Sequence, residues 1–174
     1  MAVSLYDLSV TNYLQTLGAV EGFVGKSLTH FNDNKVDANE IADVRLAPDM
    51  LPLRFQIHSA VHHSLGAIRG VQSGVFTPPS PVPALDFAGL QKQVSEAREE
   101  LQKLTPDEVN GLAGKDMVFQ IRDNKLPFTA EGFLLSFSLP NFYFHATTAY
   151  DILRSKGVPL GKRDFLGRLR MKSA

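Results

Sequence analysis

Apolar residues recur at three-, four- and seven-residue steps in four long stretches of the chain, the period of amphipathic helices. In the first stretch Val10, Leu14, Leu17, Val24, Leu28 and Phe31 mark one face of a helix of about six turns. Ser9 stands where an N-cap belongs, and Asn32-Asp33-Asn34 forms a polar stop. Gly18, Gly22 and Gly25 lie inside it, each costing roughly 1 kcal/mol relative to alanine, which suggests close packing at those points. A short helical turn is expected over Ala38–Arg45. Pro52 opens the second helix, whose apolar face is Leu53, Ile57, Ala60, Val61, Ser64, Ile68 and Val71 and which ends in Gly70–Gly74.

The segment VFTPPSPVPALD breaks the helical pattern, and its prolines read as an extended crossover over residues 75–85. The third helix is capped by Asp86 and follows Phe87, Leu90, Val94, Ala97, Leu101 and Leu104; its other face carries Lys92, Glu96, Arg98, Glu99 and Glu100. TPDEV opens one more turn. DMVFQIRDNKLPFT alternates, turns at Asp-Asn-Lys and returns, which predicts a small β-hairpin. The fourth helix starts at Thr129 and stops at Lys156–Gly157, with Pro140 expected to kink it by freeing the carbonyl of Ser136. The pattern predicts an all-α bundle of four helices in one domain, residues 1–174, with a C-terminal strap over 158–174.

Composition narrows the function classes. Eighteen basic and eighteen acidic side chains give zero formal charge over 174 residues, which argues against a nucleic-acid partner held by bulk charge. Without cysteine there is no disulfide, thiolate metal site or cysteine nucleophile. No run approaches the roughly 18 apolar residues of a membrane span, and MAVSLYDLSVTNYL lacks the pattern of a secretory signal, so the expected setting is the cytoplasm.

The candidate chemistry lies in the histidines. His30 sits at a polar helix end and reads as solvated. His58 and His62, four residues apart, share a helix face that could seat a metal, yet they point away from the apolar stripe and read as an exposed pair. His63 borders that stripe on the flank of Gln56 and Ala67. In LPNFYFHATTAYDILRSKG, His145 follows Asn141 by one turn and precedes Thr148 and Ile152. Two readings stay open. His63 and His145 are either buried imidazoles satisfied by nearby carbonyls and threonines, or they meet inside the bundle with Asn141 as a metal or acid/base site. Phosphate-binding glycine loops, nucleophile elbows and paired Glu-x-x-His motifs are absent from the sequence. The tail VPLGKRDFLGRLRMK either straps one mouth of the bundle, with Arg163 and Asp164 paired or facing an anion, or is an inert terminus.

Three segments carry a resemblance: SLYDLSVTNYLQTLGAV, ADVRLAPDMLPLRFQIHSAVHH and LPNFYFHATTAYDILRSKGVPLGKRDFLG. Together they resemble an uncharacterised family, carried as a domain of unknown function in the DinB/YfiT-like superfamily of candidate metalloenzymes. The resemblance implies an up-down-down-up four-helix bundle, which suits the Pro-rich crossover, and a homodimer. It also implies a divalent zinc or nickel ion serving a transferase or isomerase that activates a small thiol. His63 matches the histidine ligand of the second helix, and His145 matches the second histidine of a pair on the last helix. Asn141 stands where the first of that pair belongs, and an amide is a poor zinc ligand. Without a metal, the expectation is a small-molecule transferase, isomerase or lyase using His63 and His145 with Asn141 and Tyr143, and with Gln56, Thr148 and Arg163 contacting the ligand. The alternative is a non-catalytic, dimeric ligand-binding or scaffold module with a degenerate metal site.

Overall fold

A computed structural model describes residues 3–82 and 85–172. Of the expected crossover, Pro83 and Ala84 lie outside the described residues, as do Ser173 and Ala174 of the strap.

The chain enters through a one-turn helix, α1 (Leu5–Leu8), capped by Ser4 in a capping box with Asp7. Ser9 does not cap the long helix α2 (Val10–Asp33): its hydroxyl donates back to the carbonyl of Leu5, and it serves as a buried joint between the two. After α3 (Ala38–Ala42), Pro52 is the N-cap of α4 (Leu53–Val61). A π turn, His62–Gly66, interrupts the second helix before it resumes as α5 (Ala67–Ser73) and ends at Gly74, φ +81°. The third helix is α6 (Phe87–Gln102), capped by the Asp86 carboxylate, and α7 (Pro106–Asn110) follows.

The fourth helix starts at its expected cap, with the Thr129 hydroxyl accepting from the Gly132 amide, as α8 (Ala130–Phe133). A second π turn, Leu134–Ser138, leads into α9 (Leu139–Ser155), and Gly157 (φ +84°) stops it. Pro140 has no amide proton to give the helix. The widened turn just before it, closed by the Leu139 amide on the Leu134 carbonyl, is where the helix accommodates the proline. A last short helix, α10 (Lys162–Leu166), lies on α2.

The small sheet is not the isolated hairpin that the sequence predicts. Strand β1 (Val75–Phe76) pairs parallel with β2 (Asp116–Ile121) in the register Val75 to Val118 and Phe76 to Phe119. Strand β3 (Asn124–Thr129) pairs antiparallel on the other side of β2. A two-residue strand leaves no readable alternation, so this pairing has no sequence signature. The cause of its position is visible at Gly70: a Cβ there would lie 2.9 Å from the Phe76 ring and 3.3 Å from the Val75 carbonyl. The missing side chain lets β1 lie across α5.

α2 packs on α6 and α9, and α4 packs on the same two helices from the other side. Tyr13, Leu17, Phe23, Leu53, Ile57, Leu90, Val94, Phe142 and Ala149 fill the space between them, all essentially inaccessible. Burying each of the large side chains contributes about 1.5–3 kcal/mol. A second aromatic layer joins the sheet to the helices: Phe76 meets Phe119 and Phe133, and both of these meet Phe137, at centroid distances of 4.6–6.0 Å.

Candidate functional site

The two π turns meet. Ser138, at the end of the second, donates its hydroxyl to the main-chain carbonyl of His63 in the first, at 2.6 Å. Because that donation uses the only hydroxyl proton of Ser138, the 2.7 Å contact with Tyr13 must be donated by the Tyr13 phenol. Tyr13 is fully buried, and burial pushes its phenol well above the usual range, so it remains a donor. A chain of two hydrogen bonds thus ties α2, the last helix and the His63 backbone together in the core.

His63 itself is 5% exposed. Its ring lies between Phe76 (5.5 Å) and Phe137 (5.7 Å), beside His62 (5.5 Å), and is stacked on His145 at 5.6 Å with 18° between the planes. The sequence therefore identified two imidazoles that do come together, from positions 82 residues apart. Gln56 joins them: its Oε1 lies 2.8 Å from His145 Nδ1, and its Nε2 donates to the Leu51 carbonyl, also at 2.8 Å.

That second contact fixes the chemistry of the first. A main-chain carbonyl only accepts, so the Gln56 amide nitrogen must face Leu51 and its oxygen must face His145. His145 then carries its proton on Nδ1 and leaves the Nε2 lone pair free. Burial is the main cause that holds both rings neutral. It lowers His63 to about 3, helped by the neighbouring His145 and His62, and His145 to about 4, helped by His62. His63 Nδ1 is buried without a hydrogen-bond partner among the described residues, an unusual state for an interior polar atom.

The other expected residues divide. Asn141 is one turn from His145, but its amide donates to the Phe137 carbonyl inside the π turn at 2.7 Å. Thr148 is buried and donates to the Phe144 carbonyl of its own helix. Tyr143 is 39% exposed and, with Thr148, Phe144, Leu46 and Met50, lines an open groove of about 590 Å³ on the flank of α9. Phe144 links groove and site, since its ring also meets His145 edge-on at 5.3 Å. Arg163 is exposed on α10 and is not part of the group; Asp164 pairs instead with Lys26 at 3.2 Å.

His58 and His62 are not the exposed pair expected from the helical wheel. α6 covers His58, whose Nδ1 is 2.9 Å from the Gln93 amide, and the chain after β1 returns Thr77, whose carbonyl accepts from His62 Nε2 at 2.8 Å. Sequence reasoning missed Tyr13, Ser138, Phe76 and His62 as parts of the site. Only the Leu139-Pro140 break hinted at Ser138.

As for a metal, the expected ligands supply two imidazoles. Among the described residues no group of three histidine, cysteine, aspartate or glutamate side chains is placed to hold an ion. Asn141 and Gln56 use their amide nitrogens on main-chain carbonyls, and the Gln56 oxygen is taken by His145. This donor set does not fit a resident zinc or nickel ion.

The domain family described as "Domain of unknown function (DUF1993)" matches residues 5–166, nearly the whole chain. The chain belongs to the DUF1993 family. A crystal structure of a DinB family member protein from Shewanella denitrificans is similar to this DUF1993 chain, with a TM-score of 0.83 and 27% identity over 98% of this chain and 96% of that one. No curated protein matches the DUF1993 chain. Among its described residues no helix is long and apolar enough to cross a membrane.

Proposed function

We propose that this DUF1993 protein acts on a small molecule at the solvent-facing side of His145, whose Nε2 accepts a proton in a transferase, isomerase or lyase reaction. The observation that carries this reading is the Gln56–His145 pair. A fully buried amide commits the imidazole to one tautomer and leaves its other nitrogen free. Gln56 is the positioning residue. His63 backs the ring and, being neutral, adds no charge beside the base. The groove edged by Phe144, Tyr143 and Thr148 offers apolar surface for the body of the substrate next to the acceptor. No step in this reading runs through a metal.

The frame for the site is an up-down-down-up four-helix bundle. It is supported by the mutual packing of α2, α4, α6 and α9 and by the DinB-family likeness. The test is a thermal-shift screen of small thiols and apolar acids against the wild type and His145→Ala. A ligand is expected whose stabilisation vanishes in the variant while far-UV circular dichroism is unchanged. Turnover of that ligand should rise through an apparent pKa near 4 and stay flat above it. A screen whose hits all survive the substitution removes the proposal.

A second reading is favoured by the surface beside the site. Leu46, Tyr143 and Phe144 are large, exposed and line the same groove. A homodimer that covers this face would make the protein a ligand-binding or scaffold module. Light scattering on the wild type and Phe144→Ser distinguishes it: a dimer that becomes a monomer supports this reading, and a monomeric wild type rejects it.

A further inference from the structure

A different cavity carries its own chemistry. Between α2, α6 and the C-terminal strap lies a hollow of about 380 Å³ lined by Thr11, Leu14, Gly18, Arg98, Arg168 and Arg170. Three arginines from two distant parts of the chain line one space.

The backbone is shaped for this arrangement. The Arg98 guanidinium lies against α2 at Gly18, where a Cβ would stand at ordinary contact distance, 3.5 Å, from its Cζ, Nε and Nη2 atoms. Gly167 turns the strap at φ +62°, ψ −147°, where a Cβ would lie 3.2 Å from both the Ala19 Cβ and the Gln15 carbonyl. That close passage carries Arg168 and Arg170 back over α2 toward Arg98. Gln15 holds the turn by donating to the Leu166 carbonyl at 3.0 Å, and Lys26 holds Asp164.

The charges are incompletely balanced. Arg98 pairs with Glu21, yet its Nε is buried without a partner among the described residues. Arg170 donates to the neutral Asn12 amide at 2.7 Å. Arg168 makes no ion pair or hydrogen bond among the described residues. Three positive groups against one carboxylate leave an excess of cation in a protein whose formal charge is zero. An adjoining hollow of about 210 Å³, lined by Thr16, Tyr143 and Phe165, shares Gln15 and Arg170 and extends the space. Guanidinium forks suit the paired oxygens of phosphate and carboxylate, while Leu14 and Phe165 suit an apolar body.

We infer that this hollow binds a small organic anion, a phosphate monoester or a carboxylate with a short apolar body, clamped between α2 and the strap by Arg98, Arg168 and Arg170. The full chain is titrated calorimetrically, at low and moderate salt, with phenyl phosphate, benzoate and inorganic phosphate. One saturable site is expected for phenyl phosphate or benzoate, whichever head group the arginines prefer, and it should weaken as salt rises. The double variant Arg168→Gln/Arg170→Gln, both surface changes, should lose at least tenfold in affinity. Lys162→Gln/Lys172→Gln, which removes the same charge elsewhere on the tail, should lose less than twofold, and His145→Ala should bind as the wild type does. No saturable site, equal losses in the two double variants, or inorganic phosphate binding as tightly as the organic anions would each overturn the assignment.

Discussion

The hydroxyl of Ser138 reaches the main-chain carbonyl of His63 at 2.6 Å, so one hydrogen bond joins the two widened turns of the structure. A π turn adds one residue to a helical turn and is frequent at functional sites. Here each turn places one wall of the site: the first presents His62 and His63, the second presents Phe137 and Ser138.

Ser138→Ala strips the Tyr13 phenol of its acceptor in a fully buried place. The expected cost is about 1–3 kcal/mol in urea denaturation, the price of an unmade interior hydrogen bond. Tyr13→Phe leaves Ser138 still donating to His63 and should cost less, about 0.5–1.5 kcal/mol. The double variant should cost less than the two losses added, because both remove the same contact.

Stability should depend on pH through the two depressed histidines. Each is held neutral when folded, at about 3 for His63 and about 4 for His145, against 6.5 as the ordinary value. Below 6.5 the unfolded chain binds protons that the folded chain refuses. The contribution is complete above that pH and is lost as pH falls toward 4 and then 3, at up to about 1.4 kcal/mol per pH unit for each ring. Denaturant midpoints between pH 7 and 4 measure it, and His63→Phe should flatten the dependence.

Gln56→Glu replaces the neutral acceptor at His145 Nδ1 with a carboxylate. An opposite charge within hydrogen-bond distance favours imidazolium, so the His145 titration should move upward. Proton NMR of the ring across pH 3–8 reads the shift. An unchanged titration would mean that Gln56 and His145 are not in contact.

Gly70→Ala places a methyl within 2.9 Å of the Phe76 ring and 3.3 Å of the Val75 carbonyl. Strand β1 must move off α5, carrying Phe76 away from its 4.4 Å contact with His62. Overpacking of this kind costs about 1–3 kcal/mol. Hydrogen exchange should quicken at the Val118 amide, which donates to the Gly74 carbonyl, before it quickens in the helical core.

The helices were legible because their period is local. Phe87, Leu90, Val94, Ala97 and Leu101 recur on one side of α6 and are all buried. His63 and His145 were legible as inward-facing polar residues, and the family resemblance paired them. The π turns were not, because one inserted residue shifts an apolar stripe without breaking it. Nor was the cover over His58, because its contact with Gln93 spans 35 residues. Tyr13 fell outside the stripe drawn through Val10, Leu14 and Leu17, yet it is as buried as any of them. Contacts between distant segments decided the last two cases, and no local period encodes them.

The most direct measurement on the site is a long-range proton–nitrogen NMR correlation of histidine-labelled protein at pH 7. The geometry predicts that His145 is neutral, with its proton on Nδ1 and an unprotonated Nε2. A charged His145, or one protonated on Nε2, would contradict the account.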